Sequence, residues 1–64
     1  MDFLRNSREI IARLQNEGWT LKRVTGSHHH FHKQGHHCIV TIPHPKRDLP
    51  LGTVRAIYRQ AGWL

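Results

Sequence analysis

Residues 25–42 read TGSHHHFHKQGHHCIVTI, two β-prone runs punctuated by glycine-containing turns. Thr25-Gly26-Ser27 is a turn signal, and Gln34-Gly35 is a second. Between them, His28 to Lys33 reads as a strand in which His28, His30 and His32 share one face and His29 and Phe31 the other. Phe31 is the natural core residue, so His29 is expected to point inward with it or to sit at the end of the sheet. A third strand is expected over His36 to Ile42, rich in β-formers. Cys38, Val40 and Ile42 fall on its core side and His37, Ile39 and Thr41 on the other. Pro43 and Pro45 stop the sheet, because neither can donate to a ladder.

Working outward, the period from Trp19 to Val24 also changes towards two, and Trp19 and Leu21 are expected to share a face. Ahead of it, residues 6–17 read as a helix. Asn6 can cap it, Glu9 three residues on suggests a capping box, and Ile10, Ile11 and Leu14 recur at helical spacing. Gly18 follows where a left-handed C-terminal cap is wanted. On the far side, residues 43–50 form a loop of prolines and polar residues. A second helix is expected from Leu51 to Ala61, with the stripe Val54, Ile57, Tyr58 and Ala61 and Gly62 as terminator. Each helix has one apolar stripe, so both must cover the same face of one sheet. The expected class is α+β, one domain over residues 1–64 in the order α-β-β-β-α, with a three-stranded antiparallel sheet and two helices on one face.

Sixty-four residues bury only about 60% of the surface that the unfolded chain exposes, so any site has to lie on a face or in a shallow groove. Ten Lys and Arg against four Asp and Glu leave a net charge of +6, which favours a polyanionic partner. Cys38 is the single cysteine, so no intrachain disulfide points to an oxidising compartment, and it is expected to be buried and inert. No apolar run approaches the roughly 20 residues that span a bilayer, and the N-terminus lacks the order of a signal peptide. The expected location is the cytoplasm.

Seven histidines in 64 residues, six of them between 28 and 37, admit three readings. Imidazole titrates near pH 6.5 and can move a proton at neutral pH, worth about 10²- to 10⁴-fold in rate. RNA carries its own nucleophile in the 2′-hydroxyl, so one His beside Lys and Arg is enough chemistry. Alternating His on a strand can also chelate zinc. The third reading is a solvated polar face. The only carboxylates are Asp2, Glu9, Glu17 and Asp48, too few and too scattered for a two-metal nuclease. Ser27 lacks an acidic partner spaced to orient a Ser–His pair. Lys22, Arg23, Lys33, Lys46, Arg47, Arg55 and Arg59 surround the sheet, the loop and the second helix. Lys46-Arg47, just ahead of a helix start, suit phosphate.

Glu17-Gly18-Trp19, then Gly26-Ser27-His28-His29, Pro43-His44-Pro45, Asp48-Leu49-Pro50-Leu51-Gly52-Thr53-Val54-Arg55-Ala56-Ile57 and Gln60-Ala61-Gly62 together resemble the HicA family over nearly the whole chain. The resemblance implies a double-stranded-RNA-binding-like fold, ribosome-independent cleavage of mRNA, and neutralisation by a HicB antitoxin. No cofactor or metal is expected, given the few and scattered carboxylates. The resemblance also implies one functional histidine just after the Gly-Ser turn, which maps to His28, with His29 as the fallback. RNA contacts are expected from Lys22, Gly26, Ser27, Lys46, Arg47 and Arg55, and a second acid–base group from His29, His44 or Lys22. A non-catalytic RNA-binding module is the alternative. His30, His32, His36 and His37 lie outside the family pattern.

Overall fold

The structure is a computed structural model that describes residues 2–64. The elements run α1 (Ser7–Asn16), β1 (Thr20–Thr25), β2 (His28–His32), β3 (Val40–Pro43) and α2 (Leu51–Ala61). The sheet has the order β1-β2-β3 with both pairs antiparallel. The α-β-β-β-α arrangement is the expected one.

Both helices end where their caps dictate. The Asn6 side chain accepts from the Arg8 N–H at 2.9 Å, satisfying one of the first-turn donors that an α-helix leaves free. Gly18 and Gly62 take φ of 94° and 79° after the two helices, the left-handed conformation that L side chains rarely adopt. Gly26 has φ 59°, at the first central position of the two-residue turn joining β1 to β2, where a II′ hairpin wants glycine.

Ile10 and Leu14 of α1, Val54, Ile57, Tyr58 and Ala61 of α2, Phe31 of β2, Val40 and Ile42 of β3, and Trp19 and Leu49 close into one buried cluster. The helices pack chiefly over β3. Tyr58 ties the chain's start to this core, its hydroxyl accepting from the Leu4 N–H at 2.8 Å.

Three expectations need correction. Leu21 does not share the burial of Trp19. Trp19 is buried just before β1, whereas Leu21 is 47% exposed. The register slips between Leu21 and Arg23, and such a bulge re-aims the strand. β1 is moreover an edge strand that the helices do not cover, so all six of its residues stay exposed. The third strand starts at Val40 rather than His36. The His36 N–H bonds to Lys33 O at 3.1 Å and the His36 ring packs on Trp19 at 5.1 Å between centroids, which turns residues 36–39 out of the ladder. Cys38 lies in that segment and is exposed, not buried in the core.

Among the described residues, no helix is long and apolar enough to cross a membrane.

Candidate functional site

β2 distributes the histidines by simple alternation. Phe31 is buried against the helices and pairs with Leu21 and Val40. His29 therefore faces the same side, while His28, His30 and His32 face the open side of the sheet. His30 stands between Arg23 and Thr41 in register, and its Nδ1 lies 3.0 Å from Thr41 Oγ1. Burial, and then the positive charge of Arg23, His28 and His29, lower the His30 pKa below the ordinary 6.5. His28 is exposed at the first position of the strand, one residue from the Gly26-Ser27 turn.

His29 meets a second imidazole. Its ring stands edge-on to His44, with centroids 4.9 Å apart, and its Nδ1 is buried without a hydrogen-bond partner. His44 is held from both ends. Its backbone N–H bonds to Ser27 O at 2.7 Å, and its Nδ1 lies 2.7 Å from Ser7 Oγ. Ser7 is the buried polar residue at the first turn of α1, 1% exposed. It is clamped to the loop twice more: its N–H bonds to Lys46 O at 2.9 Å, and its Oγ accepts the Lys46 N–H at 2.9 Å.

That geometry sets the protonation of His44. Ser7 Oγ already accepts one hydrogen bond, and its own O–H needs an acceptor out of water. His44 Nδ1 is the acceptor at hand, which requires Nδ1 to be unprotonated and puts the ring proton on Nε2. The opposite tautomer strands a buried hydroxyl, costing about 1–3 kcal/mol. The environment agrees, since burial first, and then the charges of His29 and Arg8, lower the His44 pKa below 6.5.

His44 lines a cavity of about 190 Å³ together with Asn6, Ser7, Arg8, Pro45, Lys46 and Arg47. Three cations and no carboxylate edge it. Among the described residues only Arg5 and Arg13 of the ten Lys and Arg are ion-paired, to Asp48 at 3.1 Å and Glu17 at 3.2 Å. The other eight keep their charge uncompensated, which concentrates anions near the surface.

Of the residues singled out from sequence, Ser27, His29, Lys46 and Arg47 come together around His44, with His28 at the same end of the sheet but on its open face. Lys46 and Arg47 lie against the start of α1, not simply ahead of the second helix. Lys22 stands at the bulge of β1 and Arg55 on the exposed side of α2; neither lines the cavity. In sequence, Ser7 and Arg8 read as ordinary solvated positions in a first helical turn. Only its partners, 37 and 39 residues further on, give Ser7 a role, and Arg8 gains one by lining the cavity. Among the described residues no three His, Cys, Asp or Glu side chains converge as metal ligands do.

No match is found among curated proteins. Residues 7–63 match the family described as the HicA toxin of bacterial toxin–antitoxin systems. The match starts at the first residue of α1 and ends beyond α2, so it takes in every element of the fold and, apart from Asn6, all of the residues that line the cavity with His44, and the chain belongs to the HicA toxin family.

Proposed function

We propose that this toxin is a metal-independent endoribonuclease that cuts mRNA with a histidine as the proton carrier and so arrests translation. The observation that carries the reading is the placement of His28. Its imidazole is exposed at the mouth of β2, beside a glycine turn and at the same end of the sheet as a cationic cavity. His28 removes the proton of the 2′-hydroxyl as its oxygen bonds to phosphorus. The P–O5′ bond breaks, and the departing 5′-oxygen takes up a proton. The products are a 2′,3′-cyclic phosphate and a 5′-hydroxyl. The amides of Gly26 and Ser27 suit the charge that builds on the phosphate. Lys22, Lys46, Arg47 and Arg55 hold the strand through its phosphates, a contact type that weakens with salt. His29 is the alternative proton carrier, since it faces a second imidazole at the same end of the strand.

The toxin works in the cytoplasm, and its antitoxin is a HicB protein that covers the His28 end of the sheet with an acidic surface. Cleavage by wild type, His28→Ala and His29→Ala, each with and without EDTA, tests the reading. Wild type should cut RNA equally in EDTA, and His28→Ala should lose about 10²- to 10⁴-fold while still binding antitoxin. Full activity of His28→Ala with loss in His29→Ala moves the role to His29. Loss of wild-type cleavage in EDTA restores a metal mechanism. RNA bound but not cut by wild type leaves only an RNA-binding module.

A further inference from the structure

We infer that the cavity beside α1 seats a phosphate group of the RNA backbone, with His44 as an uncharged hydrogen-bond donor fixed by Ser7. The inference rests on the RNA reading above and adds a subsite to it.

Size and lining define the ligand class. At about 190 Å³ the cavity is smaller than the roughly 300–1,000 Å³ clefts that enclose a drug-sized molecule, so it fits a backbone phosphate and not a base with its sugar. Arg8, Lys46 and Arg47 line it with no carboxylate among them, and Asp48, next in sequence, is engaged by Arg5. Four of the backbone donors there are already committed. Ser7 N–H and Lys46 N–H bond to each other's residues, Arg8 N–H bonds to Asn6 and His44 N–H to Ser27 O. Anion binding therefore falls chiefly to the side chains.

His44 is the unusual member. Ser7 engages Nδ1, so the ring has one N–H to give and no proton to exchange. Its charged neighbours are Arg8, Lys46 and Arg47 around the cavity, which disfavour a positive charge on it, and the titratable His29 stands across the ring. A neutral donor binds phosphate oxygen in the ground state and leaves the proton chemistry to the strand end. It stays close to that chemistry, because the His44 backbone is bonded to Ser27, the residue before His28.

Nitrogen-detected NMR of the wild-type imidazoles and RNA affinity measured across a salt series test this together. His44 should remain the Nε2–H tautomer at pH 7. Inorganic phosphate should shift its Nε2 signal weakly, and a short RNA oligonucleotide should do so at far lower concentration. A response to phosphate with none to RNA overturns the backbone assignment. For binding, Arg8→Gln should weaken RNA affinity and reduce the salt slope by about one released ion. His44→Asn keeps an acceptor for Ser7 but lacks Nε2, so it should weaken affinity about fivefold to tenfold with the slope unchanged. An Nδ1–H tautomer, a slope change in His44→Asn, or unaltered affinity in both variants overturns the inference. The wild-type spectra need no variant to fold. RNA that seats in the cavity but is never cut sinks the nuclease reading alone, whereas cutting with unaltered binding in both variants sinks the subsite alone.

Discussion

Replacing Ser7 with Ala removes one oxygen and strands two partners. Lys46 N–H loses its acceptor and His44 Nδ1 loses its donor, at a position 1% exposed. With a net worth of about 0.5–1.5 kcal/mol per bond and more where a buried group is orphaned, the variant should lose about 2 kcal/mol at pH 7.5. For 64 residues the whole stability is of order 3–10 kcal/mol, so the loss should lower the melting temperature by roughly 8–16 °C. The effect should depend on pH with a definite sign. His44 has a pKa lowered from 6.5 by burial, then by His29 and Arg8. Its contribution is therefore complete above about 6.5 and is lost as the pH falls through the depressed folded value. A protonated ring cannot accept the Ser7 proton, so the gap between wild type and Ser7→Ala should be widest above pH 6.5 and narrow on acidification. Urea unfolding of both proteins across pH 7.5 to 5, beside an NMR titration of His44, measures it. A gap under about 0.5 kcal/mol at pH 7.5, or one that stays constant while His44 titrates, refutes the tautomer argument.

Two further outcomes follow from the fold. Phe31→Ala should cost about 3–5 kcal/mol and Leu21→Ser less than about 1 kcal/mol, although the two residues pair across β1 and β2; urea midpoints decide, and equal losses would mean that the helices cover β1 after all. Glu17 has a pKa lowered from 4.5, chiefly by the Trp63 indole N–H at 2.6 Å, which burial opposes in part and Arg13 then reinforces. The stability it contributes is present above pH 4.5 and is lost as the pH falls through its folded value. Glu17→Gln should cost below about 1 kcal/mol for so exposed a pair and should flatten the acid limb of the stability curve; an unchanged limb assigns that slope to other carboxylates.

The elements that sequence reveals best are those whose signal is local. α2 runs over Leu51–Ala61 as its stripe predicts, and α1 lies within a residue of its predicted ends, because periodicity and caps both act within a few residues. The alternation in β2 is equally local, and Phe31 inward with His28 and His30 outward follows from it. β1 and β3 behave otherwise. Leu21 has the residue type and spacing of a core position, but whether it is covered depends on where two distant helices lie. Cys38 and Ile39 are good β-formers with nothing opposite them once His36 turns back on Lys33. At the site, the paired histidines after the turn are visible in the chain, and so is the Lys46-Arg47 step. The contribution of Ser7 is not, because hydrogen bonds that span 37 and 39 residues leave no periodic trace, and that of Arg8 depends on the distant loop that closes the cavity beside it.

That long-range clamp has a bearing on how the toxin comes to life. Its first helix and its proline loop are useless to each other until the intervening hairpin has brought them into register, so a nascent chain that has not yet exposed Lys46 has no anion seat. By the same token, lifting the N-terminal helical turn away takes Ser7 and Arg8 out of the proposed seat. If the proposed RNA reading holds, whatever prises Ser7 from His44 should blunt RNA capture.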